Sequence, residues 1–213
     1  MDTFTRSTYY LLALKTGLID ESSDTHKLLL MRTEFVFIPT KHSQLKNIKG
    51  NTGAIDLVWA AADQSVSRAS GSFITDGAVE GSLYTSNDAS NPGPFTAASV
   101  AADKIIFNEA VVNSSATKTL TWDDELLTGH GYTQNTMTTG TVTVTQDNTY
   151  NRTDSTFPTV DWTATSDSIG PTPGAIIYDS TADVIIGYLQ FSEEKTAANG
   201  EHLYIGNGTI RGE

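Results

Sequence analysis

Three stretches repeat one device: "TKTLTW" (117–122), "GTVTVTQ" (140–146) and "TVDWTAT" (159–165) alternate threonine or another polar residue with an apolar residue. Strict alternation matches the two-residue side-chain period of a strand and cannot lay an apolar stripe along a helix. The register puts Leu120 and Trp122 on one side, with Thr119 and Thr121 opposite. It likewise puts Val142 and Val144 inward, and Val160, Trp162 and Ala164 inward. The chain holds 32 threonines, crowded between 117 and 165. A β-branched residue with a water-tolerant hydroxyl suits the solvated face of a sheet. "GAIIYD" (174–179) and "DVIIGYLQF" (183–191) are apolar throughout, as strands buried on both faces are.

Other segments fit the same class. "HKLLLMRTEFVFI" (26–38) reads as one or two strands stopped by Pro39. "AIDLVWA" (54–60) and "KIIFNEAVV" (104–112) read as strands, and "EHLYIGNGTIR" as a last strand or hairpin. Residues 63–103 are rich in Ser, Gly, Asn and Pro around short apolar pairs, which predicts short strands and long loops. One helix is expected, over "TYYLLALKTGL" (8–18), with Tyr10, Leu11, Leu14 and Leu18 at helical spacing and Gly17 as its stop. The fold expected is all-β, a β-sandwich of jelly-roll type with one short N-terminal helix.

Composition excludes several functions. The net charge of −12 repels nucleic-acid phosphates, so no nucleic-acid partner is expected. No cysteine is present, which removes disulfides, thiolate nucleophiles and Cys-type zinc sites. The N-terminus has no signal-peptide pattern, and no apolar run, Leu28–Met31 included, is long enough for a bilayer, so no membrane partner is expected. The N-x-S/T triplets at Asn113, Asn151 and Asn207 are what chance supplies in a Thr- and Ser-rich chain.

Catalytic and metal motifs fare no better. His26, His42, His130 and His202 are scattered, with no pair at metal-ligand spacing. There is no G-x-S-x-G elbow and no Walker loop; "GNGTIRG" (206–212) lacks the third glycine in register and the following helix. Asp123–Asp124 and Glu193–Glu194 could in principle act as paired carboxylates, but such runs read as solvated loops. Asp-rich turns near 123–125, 147–154 and 179–183 have no EF-hand spacing and read as turn chemistry. No enzyme, cofactor or metal site is expected. Trp59, Trp122 and Trp162 each stand among aliphatic residues and are expected in the core rather than as a sugar-stacking platform.

The C-terminal half runs "LLTGHGYTQNTMTTGTVTVTQ", "TVDWTAT", then "GAIIYDSTADVIIGYLQFSEEKTAANGEHLYIGNGTIR". In this order it resembles a family of tailed-phage and prophage virion proteins. Those carry a G-x-GYT-x-G turn, a Thr/Val strand, a strand with a core tryptophan, an A-V-I-Y-x-D-T segment, a G-Y-I-D-F strand, an S-x-N-G turn and a strand ending I-x-R. "LLALKTGLIDESSDTHKLLLMR" is similar to the family's opening. The resemblance covers roughly 1–36 and 119–213. It departs at Gln190 and at Glu193–Glu194, where the family has a small or acidic residue and a Gly-rich turn.

The resemblance implies a core β domain built from 1–36 and 119–213, with 37–118 as a β-rich insertion. It implies a virion structural protein, made in the host cytoplasm. The expected role is a capsid decoration (cement) protein on the outer capsid surface, a homotrimer whose partner is the major capsid protein. A tail or fibre component and a carbohydrate-binding module for host attachment are the alternatives. The expected capsid contacts are Tyr9, Tyr10 and Leu14 in the N-terminal segment and Lys41, Lys46 and Lys49 in a basic loop. In "GHGYT", Gly129 and Gly131 are expected to free the backbone for a tight turn, Tyr132 to anchor the next strand, and His130 to sit at an exposed tip.

Overall fold

A computed structural model describes residues 2–135, 142–147, 152–206 and 208–212. The chain is all-β and sandwich-like, built from several antiparallel sheets, with one short N-terminal helix. It divides into two compact units, Met1–Glu34 with Glu125–Glu213, and Phe35–Asp124.

The first unit opens with strand β1 (Thr3–Arg6), helix α1 (Thr8–Lys15) and strand β2 (His26–Leu30). Gly17, at φ +70°, ends α1: its N–H donates to the Leu14 carbonyl and the next N–H, of Leu18, donates to Ala13. This pair of bonds is the Schellman arrangement, which a residue with a Cβ adopts only at a cost. The buried side of α1 is Tyr10 and Ala13, with Leu14 half-buried. Leu11 and Leu18, expected on the inner face, are instead exposed, because only two turns of helix meet the sheet. The strand expected to continue from 31 to 38 is absent; β2 stops at Leu30, and the second unit begins at Phe35.

The second unit contains β3 (Lys49–Asn51), β4 (Ile55–Ala60), β5 (Ser65–Arg68), the single-turn α2 (Phe73–Asp76), β6 (Leu83–Ser86), β7 (Phe95–Val100), β8 (Lys104–Phe107), β9 (Ser114–Lys118) and β10 (Leu120–Asp123). The sheet order is β3-β10-β6-β7-β8-β5-β4-β9. Only Thr119 separates β9, which pairs with β4, from β10, which pairs with β6. The ladder therefore returns to its start and forms a small closed barrel, an arrangement that leaves few free strand edges. Trp59, Tyr84, Phe95, Phe107 and Trp122 fill it. Trp59 stacks on Phe107 with centroids 5.7 Å apart at 21°, and Trp122 donates its indole N–H to the Lys46 carbonyl at 2.8 Å. The sequence reading puts Trp122 in the 119–213 block. It belongs instead to this unit, whose end lies at Asp124, because β10 is hydrogen-bonded to β3 and β6.

The chain then completes the first unit with β11 (Thr143–Asp147), β12 (Arg152–Phe157), β13 (Val160–Thr163), β14 (Ile169–Asp179), β15 (Val184–Ala197), β16 (His202–Ile205) and β17 (Gly208–Gly212). Their sheets are β1-β15-β14-β2, β11-β12-β17 and β13-β16. Gly174–Asp179 and Val184–Tyr188 are buried throughout, as the unbroken apolar runs require. One apolar cluster gathers Leu28, Leu30, Tyr132, Val160, Trp162, Ala175, Phe191 and Leu203. A second gathers Tyr10, Ala13, Ile19, Val142, Phe157, Ile177 and Ile186. Val144, expected inward with Val142, is 40% exposed. Alternation states which residues share a side, but at an edge strand such as β11 the cover runs out along it.

Candidate functional site

Gly129 and Tyr132 exchange backbone hydrogen bonds, each 2.9 Å, so "GHGY" is a two-residue hairpin turn. Its central residues, His130 and Gly131, both have positive φ (+54° and +100°), as a type I′ turn demands. At Gly131 a Cβ would lie 2.0 Å from the Thr163 carbonyl oxygen, so only glycine fits. Gly129, expected to share that freedom, does not use it: its φ is not positive, and a Cβ there would meet no atom within 4 Å. His130 is exposed at the tip, and its carbonyl accepts the Thr165 N–H at 2.8 Å.

Tyr132 is 2% exposed, and its hydroxyl donates to Glu125 at 2.7 Å while accepting the Leu30 N–H at 3.0 Å. The carboxylate of Glu125 also accepts the Asn135 N–H at 2.5 Å. Asp124 accepts the Leu83 N–H at 3.0 Å. The acidic run reads as solvated in sequence, yet Asp124 and Glu125 are 0% and 1% exposed. Their carboxylates serve backbone N–H groups and a tyrosine, which offsets the cost of burial. Asp123 is half-buried and pairs with Lys49 at 3.4 Å. Glu193 and Glu194 are exposed, but on strand β15 rather than in a loop.

On the outer side of the β13–β16 pair, His202 Nδ1 meets both carboxylate oxygens of Asp161, at 2.9 and 3.1 Å, and Thr163 Oγ1 at 3.3 Å. A nucleophile–base–acid relay needs the acid and the hydroxyl on opposite ring nitrogens. Here both partners address Nδ1, so the trio is an exposed polar contact and not a catalytic triad. Among the described residues no group of three or more His, Asp or Glu side chains could hold a metal ion. No helix of the described residues is long and apolar enough to cross a membrane.

The expected contact residues are dispersed. Tyr9 is 38% exposed and Leu14 half-buried, but Tyr10 is 2% exposed, with its hydroxyl given to Glu21, so it cannot touch a partner. Burial and that carboxylate push the Tyr10 pKa well above its usual 10. The basic loop is not a free cationic patch: Lys41 bridges to Glu80 at 2.8 Å, Lys49 to Asp123, and Lys46 Nζ donates to the Thr75 carbonyl at 3.1 Å. The helix and these lysines belong to different units. Trp59, Trp122 and Trp162 are 2%, 1% and 3% exposed, so none offers a stacking surface. Asn113 caps the Ala61 N–H at 2.8 Å, whereas Asn151, Asn207 and the segment 136–141 lie outside the described residues.

What periodicity misses is the outer side of α1. Tyr9, Leu11 and Leu12 are 38%, 41% and 55% exposed, and Leu18, just beyond the helix, 47%. The signal for it is an apolar segment with residues on every side of the helix, more than one packed face can hide. A scan against protein-family models, a search of curated proteins and a search of solved structures each found no match.

Proposed function

We propose that this chain is a structural, lattice-binding protein, a decoration protein on the outer capsid surface of a tailed phage, acting as a homotrimer on the major capsid protein. The observation that carries this reading is the outer side of α1. Tyr9, Leu11, Leu12 and Leu18 stand exposed on a segment pinned from beneath by Tyr10 and Ala13. Exposed large apolar side chains on a packed element are the kind of surface that protein interfaces use. The net charge of −12 suits an exterior position, away from packaged DNA. The contact set therefore differs from the sequence expectation: Tyr9 stays, Leu11, Leu12 and Leu18 are added, and Tyr10, the half-buried Leu14 and the lysines drop out. The mechanism is linkage, since a protein that binds only the expanded lattice stabilises it by mass action. The buried indoles weigh against the carbohydrate-binding alternative.

Cosedimentation with expanded shells lacking the protein, with unexpanded procapsids as control, tests the reading. Saturable binding to expanded shells alone, lost on Leu11→Asp/Leu12→Asp, is the expected result. No binding to either shell removes it.

A further inference from the structure

The sheet β1-β15-β14-β2 ends in two edges, and the chain treats them differently. At β2 the outward-facing backbone is served: the Leu30 N–H donates to the Tyr132 hydroxyl at 3.0 Å, and the Leu30 carbonyl accepts the Leu126 N–H at 2.7 Å. Among the described residues β1 pairs with β15 alone, so its outer side has no strand beside it. The Ser7 N–H donates to the Ile186 carbonyl at 2.9 Å, in the register that sets Thr5 opposite Tyr188 and Thr3 opposite Gln190. Antiparallel hydrogen bonding alternates along a strand. Thr3, Thr5 and Ser7 therefore turn their backbone groups toward β15, while Asp2, Phe4 and Arg6 turn theirs outward.

This edge is already held in the shape a partner strand needs. Phe4 is half-buried against the cluster of Tyr10, Phe157 and Ile186, and the Asp2 carboxylate accepts the Ser192 N–H at 2.9 Å. Little further ordering is required for it to pair. The register against β15 is unbroken, and residues 2–6 include no proline, lysine or bulge, the devices by which sheet edges refuse a partner.

We propose that β1 is a self-association edge, at which two copies of this chain join their sheets by antiparallel pairing of β1 with β1 about a two-fold axis at Phe4. This goes beyond the lattice reading. It uses a strand edge rather than the outer side of α1, and a two-fold rather than a three-fold contact, so it would join one homotrimer to another.

The residues of the edge select that occupant. "DTFTR" (2–6) is complementary to its own reversal: Asp2 meets Arg6 of the second copy, Thr3 meets Thr5, and Phe4 meets Phe4. This register also brings outward backbone groups onto outward backbone groups. Phe4 exchanges N–H and C=O with its counterpart, and Asp2 and Arg6 exchange theirs across the axis. The side chains of Asp2, Phe4 and Arg6 share one face, so opposite charges lie across from each other, with Cα atoms about 5.5 Å apart, and the two rings adjoin. A shift of two residues sets Phe4 against a charge and leaves the other charge beyond the end of the ladder. A parallel arrangement sets like charges side by side, which is unfavourable. The contact is smaller than a standard interface of about 1,600 Å², so the association is expected to be reversible and in the micromolar range.

Analytical ultracentrifugation of the full chain from about 1 to 300 μM tests the proposal. The expected particles contain an even number of chains, and their share grows with concentration. Asp2→Lys and Arg6→Glu each place like charges opposite on both sides of the axis, and each is expected to weaken the association about tenfold. The double variant Asp2→Lys/Arg6→Glu restores opposite charges and is expected to recover it. Particles of odd chain number only, at every concentration, overturn the proposal. So do charge reversals that leave the association unchanged, or a double variant no better than the single ones. Should Arg6→Glu not fold, cysteine pairing decides, since the chain has no cysteine of its own. Thr3 and Thr5 are both exposed, and across the axis their Cα atoms come within about 4.5 Å, which a disulfide spans. A mixture of Thr3→Cys and Thr5→Cys chains is expected to form a linked dimer on mild oxidation, in excess of either variant alone. No such excess refutes the pairing.

Discussion

Tyr132→Phe removes one oxygen atom and two hydrogen bonds from the end of the Gly129–Tyr132 hairpin. The Tyr132 hydroxyl donates to the buried Glu125 carboxylate at 2.7 Å and accepts the Leu30 N–H at 3.0 Å. A hydrogen bond to a charged group contributes about 1.5–3 kcal/mol, and a buried N–H left without an acceptor costs about 1–3 kcal/mol. Glu125 retains the Asn135 N–H, which limits the first loss. The ring stays in place against Trp162, whose centroid is 6.0 Å away, so little apolar packing is lost. The expected destabilisation is about 3 kcal/mol, or roughly 6–12 °C in Tm for a chain of this size. Thermal melting followed by circular dichroism and by tryptophan fluorescence checks it. A double-mutant cycle with Glu125→Gln should return a coupling of about 1 kcal/mol or more. A loss below about 1 kcal/mol for Tyr132→Phe, with no coupling, would show that the Tyr132–Glu125–Leu30 linkage does not hold the turn to β2 and would refute the reasoning.

Two further outcomes are expected. His42, buried against Phe35 and Phe37, accepts the Ile38 N–H on Nδ1 at 2.8 Å, so it must be neutral there. Burial lowers its pKa to about 4, and because the unfolded ring titrates near 6.5, stability present above pH 6.5 is lost as pH falls toward 4. The loss is about 3 kcal/mol in urea unfolding of the full chain, and His42→Gln should flatten that dependence. At the hairpin, Gly131→Ala must resolve both a positive φ and a collision with the Thr163 carbonyl, and is expected to cost about 2 kcal/mol or more. Gly129→Ala, in open space at ordinary φ, should stay within about 0.5 kcal/mol, and equal effects in paired melts would contradict the turn assignment.

Local chemistry makes much of this molecule legible from its residues alone. The alternation around Trp122 and Trp162 implies strands with inward indoles, and both side chains are buried. Gly17 marks the end of α1, and the Gly-His-Gly-Tyr run marks a hairpin, because positive φ is a local demand that few residues meet. The candidate contact surface is legible only in part. Leu11 and Leu18 read as core because they are apolar and at helical spacing, yet the sheet under α1 has room for Tyr10 and Ala13 and little more. The lysines read as a patch because they are close in sequence. Their partners, Glu80, Asp123 and the Thr75 carbonyl, lie at separations that no local pattern records.

By itself, then, the sequence determined the all-β class, the strands with an unambiguous two-residue period, and the turns that need glycine. These depend on φ/ψ preferences and on side chains a few residues apart. Tertiary structure alone decided that β9 and β10 close a barrel, that Val144 faces water, and that Asp124, Glu125, Glu21 and His26 are buried. Whether a polar side chain can leave water depends on whether a hydrogen-bond partner awaits it. For Asp124 that partner is the Leu83 N–H, 41 residues away, and for Glu21 the Ser155 hydroxyl, 134 residues away.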